Sequence, residues 1–74
     1  MRVAVIIPAR NEALALGQVL SEIPSEAVRQ LIVVDNGSTD GTAQVAEELG
    51  AQLVSEPDPG YGRACQAGIA ALEP

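Results

Sequence analysis

Two uninterrupted apolar runs constrain the fold of this 74-residue chain more than any other feature. The segments "RVAVIIP" (2–8) and "LIVVD" (31–35) are rich in Val and Ile and do not alternate between apolar and polar residues. Strands that are buried on both faces of a parallel sheet have this pattern. A third segment, "AQLVSE" (51–56), is more polar and predicts a strand nearer the edge of the sheet.

The segments that follow each run have helical periodicity. The residues expected on the buried faces are Leu16, Val19, Leu20 and Ile23 in the first helix, Val45, Ala46 and Leu49 in the second, and Cys65, Ile69 and Leu72 in the third. Pro24 is expected to end the first helix, and Gly50 to form a left-handed cap after the second. Small residues at Ala64, Ala67 and Gly68 would let the third helix approach a sheet closely.

The order is therefore strand, helix, strand, helix, strand, helix. Such alternation implies right-handed crossovers and a parallel sheet covered by helices, an α/β fold with three layers. Because three strands do not complete a doubly wound sheet, residues 1–74 are expected to form the first half of such a domain.

Composition and charge exclude several kinds of partner and site. The formal net charge is −6 and the chain has no lysine, so nucleic acid is not expected to bind. It has no histidine, which excludes a zinc site of the His/Cys type and leaves carboxylates as the general bases near neutral pH. One cysteine and no apolar run long enough for a signal peptide or a membrane span predict a cytoplasmic protein.

Three polar segments come directly after the predicted strands: "PARNE" (8–12), "DNGSTDGT" (35–42) and "PDPGYGRA" (57–64). In open parallel sheets, ligands bind beyond the carboxyl ends of the strands. Asp35 could accept hydrogen bonds from a base or ribose, or only from amides of the following turn, and the two interpretations are about equally favoured. The coincidence of three such segments is the main functional signal.

Other polar residues in these segments have structural explanations. Ser38, Thr39 and Asp40 are expected to cap the second helix, and Asn11 and Glu12 to begin the first. Gly60 to Arg63 could form a glycine loop that contacts phosphate, or an ordinary turn before a helix. "GYGRAC" lacks the third glycine of a dinucleotide-binding fingerprint, and Cys65 is expected in the core.

Taken together, "VIIPARNE", "IVVDNGSTDGT" and "GYGRACQAGIAAL" resemble the opening motifs of family 2 glycosyltransferases with the GT-A fold. The resemblance covers the whole chain and is greatest to the dolichol- or polyprenol-phosphate mannosyltransferase and glucosyltransferase branch. It implies that residues 1–74 are the amino-terminal, nucleotide-sugar-binding half of a Rossmann-like GT-A domain. The complete enzyme would transfer a sugar from a nucleotide-diphosphate sugar to a polyprenol phosphate or another hydroxyl acceptor.

The resemblance also assigns a nucleotide-sugar site. By position, the residues that would border the nucleotide, its base or ribose, and its diphosphate are Pro8, Ala9, Arg10, Glu12, Asp35, Asn36, Gly60 and Arg63. Two departures stand out. Many family members have a second acid where this chain has Asn36, and a basic residue where this chain has Pro59.

The family's divalent metal, Mg²⁺ or Mn²⁺, is bound by an Asp-x-Asp motif that would lie beyond this chain, as would the catalytic base. The chain alone is therefore expected to be inactive, and no catalytic residue is assigned to it. The expected partners are a nucleotide-diphosphate sugar, a lipid-phosphate or other acceptor, and a second copy bound at an open sheet edge. The complete enzyme could associate with a membrane.

Two other functions stay open at this point. A sugar-phosphate nucleotidyltransferase uses a similar half-domain, but it normally has a glycine-rich loop after the first strand, and "PARNE" contains no glycine. The third hypothesis is a non-catalytic module that binds a nucleotide or a protein partner.

Overall fold

The computed structural model describes residues 3–58 and 60–73. Its strands and helices are β1 (Val3–Ala9), α1 (Ala13–Glu22), β2 (Val28–Asp35), α2 (Thr42–Glu48), β3 (Gln52–Ser55) and α3 (Tyr61–Ala70), with a short 3₁₀ turn at Ser25–Ala27. The strands form one parallel sheet in the order β1-β2-β3. The α/β fold class and the alternation of strands and helices predicted from the sequence are therefore confirmed.

The central strand, β2, is the most deeply buried element of the sheet. Ile32, Val33 and Val34 have no exposed surface, which explains their uninterrupted apolar sequence. This strand begins at Val28, three residues earlier than predicted. The predicted edge position of the third strand is confirmed, since β3 has four residues and pairs only with β2 among residues 3–58 and 60–73.

Helices cover the two faces of the sheet separately. On one face, α1 and α2 pack Leu16, Leu20 and Ala46 against Val33. On the other face, α3 packs Ala64 against Ile32 and Val34. Because neighbouring side chains of a strand point to opposite faces, β2 supplies one residue to the first core and two to the second. The result is the predicted three-layer arrangement.

The sequence predicted the buried face of α1 in part. Leu16 and Leu20 are buried as expected, whereas Val19 is 46% exposed. Val19 lies beside the outer edge of β1, where no other strand pairs with β1 among residues 3–58 and 60–73.

The cap that was predicted at Gly50, after α2, is confirmed, because the φ of Gly50 is +83° and therefore left-handed.

The face of α3 that contacts the sheet was predicted in part: the small residues Ala64 and Gly68 pack on the sheet as expected, whereas Cys65 and Ile69 do not. Ile69 is 60% exposed and Cys65 is only partly buried, while Ala64 and Gly68 face the sheet. A methyl group placed on Gly68 would overlap Ile6 Cγ2 and lie 3.2 Å from Val34 Cγ2. The smallest residues of the helix thus form its contact face, because they let the backbone of α3 lie directly on the strands.

At the end of the sheet where β2 begins, a side-chain amide joins neighbouring elements. Gln30 Nε2 donates to Gln52 Oε1 and to the Ala71 carbonyl, each at 2.9 Å, and Gln30 Oε1 accepts from the Glu73 amide at 2.9 Å. One residue near the start of β2 therefore joins β3 and the end of α3.

None of the helices in the described ranges is long and apolar enough to cross a membrane.

We predict that Gly68→Ala lowers the free energy of unfolding by about 1–3 kcal/mol, because the added methyl group overpacks the contact between α3 and the sheet. Gly62→Ala in the same helix is the matched control, since a methyl group there has no atom within 4 Å. The control should change stability by less than about 1 kcal/mol. Urea unfolding of both variants measures the difference, and equal stabilities would contradict the close packing.

Candidate functional site

A cleft of about 160 Å³ opens at the carboxyl ends of β1 and β2, next to the start of α3. Its lining residues are Pro8, Ala9, Arg10, Glu12, Asn36, Tyr61 and Ala64. The sequence predicts that Pro8, Ala9, Arg10, Glu12 and Asn36 lie in one site, and the fold brings these residues together. This is the edge of a parallel sheet at which ligands bind.

Asn36 is the most deeply buried polar residue of the site, with 8% of its surface exposed. Its Nδ2 donates to the carbonyls of Glu56 and Asp58, each at 2.7 Å. Its Oδ1 accepts from the Gly60 amide at 3.2 Å. The carboxamide at the end of β2 therefore holds the loop that joins β3 to α3.

Asp35 is half-buried at the end of β2. Its Oδ1 accepts a hydrogen bond from the Ser38 amide at 3.0 Å, which is the turn interaction that the sequence left open. Its Oδ2 makes no hydrogen bond within the described ranges. One oxygen thus stabilises the turn, and Asp35 is not among the residues that line the cleft.

Gly60 and Arg63 lie at the start of α3. Gly60 has a φ of +132°, a conformation that favours glycine, and Pro59 before it lies outside the described residues. Arg63 Nη1 is 3.6 Å from Asp58 Oδ2, and both side chains are about two-thirds exposed. Arg63 is therefore paired with its own loop and is not among the residues that line the cleft.

Tyr61 lines the cleft, although it is not among the nucleotide-binding residues predicted from the sequence. Its side chain is 75% exposed, and a hydrogen bond with Cys65, followed by charge repulsion from that residue, raises the pKa of the Tyr61 hydroxyl. The position of Tyr61 in the sequence could have indicated this role, since the only aromatic residue of the chain stands between two glycines at the start of a helix.

The loops after β1 and β2 are joined by hydrogen bonds around Asn11. The Asn11 amide donates to Ser38 Oγ at 3.0 Å, and Asn11 Oδ1 accepts from the Thr39 amide at 2.8 Å. Asn11 has a φ of +51°, which is uncommon for a residue other than glycine. These bonds hold it in that conformation and fix the two loops against each other.

Helix α1 begins after Glu12 as predicted, but the amides at its start are capped by the side chains of Asp40 and Thr42 and not by those of Asn11 or Glu12. The Glu12 amide donates to Thr42 Oγ1 at 3.0 Å, and the Ala13 amide donates to Asp40 Oδ2 at 3.4 Å. The prediction that Ser38 and Thr39 cap α2 is wrong, because both bind Asn11. For Asp40 it is right in part, since Asp40 Oδ1 also accepts from the Thr42 amide at 3.0 Å.

A larger cavity, of about 290 Å³, lies at the other end of the sheet. It adjoins the start of β2, away from the three polar segments, and its lining combines apolar side chains, among them Leu31 and Leu49, with the polar side chains of Arg29 and Gln30. The smaller cleft is the better candidate because it lies at the carboxyl ends of the strands, where parallel sheets bind ligands and where the polar segments after β1 and β2 meet.

A divalent metal needs several oxygen ligands close together. Residues 3–58 and 60–73 contain no cluster of three or more His, Cys, Asp or Glu side chains that could hold a metal ion. The described residues therefore do not form a metal site.

We predict that Asp40→Asn destabilises the protein at neutral pH and weakens its acid dependence. The Thr42 hydroxyl, which donates to Asp40, is the main cause of a lowered pKa of the Asp40 carboxyl. A carboxyl whose pKa is lower in the folded state stabilises the protein above its ordinary pKa of about 3.9. That stability is lost as the pH falls through the lower folded-state value.

Thermal midpoints measured from neutral pH down to acid pH test this prediction. Glu48→Gln, which removes an exposed acid at the opposite end of α2, is the control and should not lower the midpoint at neutral pH. If the thermal midpoint of Asp40→Asn falls with pH as much as that of the wild type, the capping role of Asp40 is contradicted.

The chain was compared with known proteins. It is 52% identical over 69 residues to an uncharacterized glycosyltransferase of Mycobacterium tuberculosis, which is 93% of this chain and 31% of that protein. It is 36% identical over 67 residues to glycosyltransferase AglJ of Haloferax volcanii, covering 90% of this chain and 22% of that protein. The chain thus spans less than a third of the length of these relatives.

Solved structures share the fold over almost the whole chain. Glucosyl-3-phosphoglycerate synthase from Mycobacterium tuberculosis, in complex with Mn²⁺, UDP and glucosyl-3-phosphoglycerate, superposes with a TM-score of 0.85 and 34% identity. The match covers 97% of this chain and 30% of the synthase. A complex of the same synthase with Mn²⁺, UDP-glucose and glycerol 3-phosphate gives the same TM-score.

The sequence profile of glycosyl transferase family 2 matches residues 4–73. This match and the relatives above favour a glycosyltransferase over the nucleotidyltransferase that the sequence had left open. The chain belongs to glycosyl transferase family 2.

Proposed function

We propose that the chain is the nucleotide-binding half of a glycosyltransferase that takes its sugar from a nucleotide-diphosphate sugar. The observation that carries the proposal is the cleft at the carboxyl ends of β1 and β2, where Pro8 to Glu12 and Asn36 converge with the start of α3. The superposition with a synthase that holds UDP supports it. The activity of the whole protein is part of the same proposal.

Within this proposal, the base and ribose lie against the ends of β1 and β2. Asp35 Oδ2 would accept a hydrogen bond from a base N–H or a ribose hydroxyl, because its partner oxygen is already bonded to the Ser38 amide. Arg10 is exposed at the rim of the cleft and would attract the negative charge of the ligand.

The diphosphate would lie near the first turn of α3. The amides at the start of a helix have no intrahelical acceptor and attract anions. Arg63 could add a positive charge there if it left Asp58, and an exposed ion pair contributes only about 0–1 kcal/mol, so little opposes the exchange. Gly60 and Arg63 are therefore proposed to lie near the diphosphate, as the sequence resemblance implies.

The acceptor is proposed to be a polyprenol phosphate or another molecule that presents a hydroxyl. The sequence resemblance supports the lipid phosphate. The similar synthase structures contain glycerol 3-phosphate or phosphoglyceric acid, and a 4,4'-diaponeurosporenoate glycosyltransferase of Staphylococcus aureus is 40% identical over 72 residues, 88% of this chain and 19% of that protein. The acceptor molecules named for these relatives differ, so the acceptor part of the proposal rests on the sequence resemblance.

A divalent metal, Mn²⁺ or Mg²⁺, is proposed for the whole protein. Mn²⁺ accompanies UDP in the similar synthase structures. Because the described residues form no metal site, its ligands would come from residues outside this chain.

A homo-oligomer is also proposed, through the outer edge of β1. This edge has no strand partner within the described part of the chain, and unpaired edges favour association. Sedimentation at increasing concentration tests it, and a strict monomer would contradict it.

We predict that the chain binds UDP and that Asp35→Ala weakens binding by at least about tenfold, the typical loss when a hydrogen bond to a charged group is removed. Calorimetric titration with UDP, GDP and dTDP, each with and without Mn²⁺, measures the affinity and identifies the base. Glu48→Ala, which removes an exposed acid from α2, should bind like the wild type.

Absence of binding to all three nucleotides by a folded wild-type chain would contradict the proposed half-site. It would then favour a non-catalytic module that binds another partner.

A further inference from the structure

We infer that Asn36 is a positioning residue, whose carboxamide places the first turn of α3 against the ends of β1 and β2 and thereby sets the affinity for the diphosphate part of the nucleotide. The inference rests on the proposed function for its binding measurement. It differs from the role that the sequence resemblance suggests, in which Asn36 contacts the base or ribose directly.

The side chain of Asn36 has little capacity left for a ligand. Both hydrogens of an amide group can be donated, and here Nδ2 donates to two carbonyls, those of Glu56 and Asp58. Oδ1 accepts from the Gly60 amide. Two acceptors at one end and a donor at the other also fix the orientation of the amide, because the flipped side chain would lose all three bonds.

Asn36 also joins the three polar segments that surround the cleft. It belongs to the segment after β2, and its backbone amide donates to the carbonyl of Ala9, at the end of β1, at 2.9 Å. Its side chain bonds the loop after β3 on both sides of the point where that loop turns into α3. Asn36 therefore links the loop that leads into the first turn of α3 to the end of β1.

Burial makes these bonds costly to lose. Only 8% of Asn36 is exposed, so water cannot fully replace the carboxamide for the loop groups that it satisfies. When the side chain is removed, the Gly60 amide and the carbonyls of Glu56 and Asp58 must reach water, and the loop must move to let them. The first turn of α3 moves with the loop.

Gln30 provides a matched control on the same strand. Its carboxamide makes the same number of bonds at the other end of β2: Nε2 donates to Gln52 Oε1 and to the Ala71 carbonyl, and Oε1 accepts from the Glu73 amide. Gln30→Ala therefore removes three hydrogen bonds of a carboxamide that lies far from the cleft. The comparison separates loss of stability from loss of positioning.

The test uses Asn36→Ala and Gln30→Ala at a temperature where both are folded by circular dichroism. Hydrogen exchange of the free proteins should show faster exchange of the Gly60 amide in Asn36→Ala, and of the Glu73 amide in Gln30→Ala. Binding of UDP and of uridine is then measured by NMR titration for each protein. If either alanine variant does not fold, the isosteric pair Asn36→Asp and Gln30→Glu replaces it.

We expect Asn36→Ala to weaken UDP binding by at least about tenfold and uridine binding by less than about threefold, while Gln30→Ala changes both by less than about threefold. Equal losses for UDP and uridine in Asn36→Ala would overturn the inference, because Asn36 would then read the base or ribose itself. Unchanged UDP affinity in that variant would also overturn it. A wild-type protein that binds neither ligand would instead contradict the proposed function, and the positioning role with it.

Discussion

Burial of β2 on both faces is the constraint on which the rest of the structure depends. Ile32, Val33 and Val34 have no exposed surface, so helices must cover both sides of the sheet and β1 and β3 must flank it. The strand then ends abruptly at Asp35 and Asn36, whose polar groups lie at the middle of the sheet edge. An acid and an amide follow the most apolar strand because that position is adjacent to all the other loops.

Hydrogen bonds between loops turn this adjacency into a defined site. Asn11 is joined to the loop after β2, and Asn36 to the loop after β3, so the cleft is organised before any ligand binds. Preorganised polar groups lose less entropy on binding than mobile ones. The match to glycosyl transferase family 2 and the fold shared with a UDP-bound synthase agree with a cleft of this kind.

The strands and the grouping of the site residues could be predicted from sequence, because both follow from local patterns. Continuous apolar runs identify β1 and β2, and carboxyl ends of parallel strands share one edge. The small residues Ala64 and Gly68 indicated a close contact of α3 with the sheet, but the partner of Gly68 could not be predicted, since Ile6 lies far away in the sequence. The capping of α1 by Thr42 and the bonds of Asn36 are equally non-local.

The nucleotide is proposed to bind at the carboxyl ends of the strands and not in the larger cavity at the other end. Amide chemical shifts recorded by NMR during titration with UDP distinguish the two sites. The largest changes are expected at Arg10, Asn36 and Tyr61. Changes centred on Leu31 and Leu49, which line the larger cavity, would contradict this proposal.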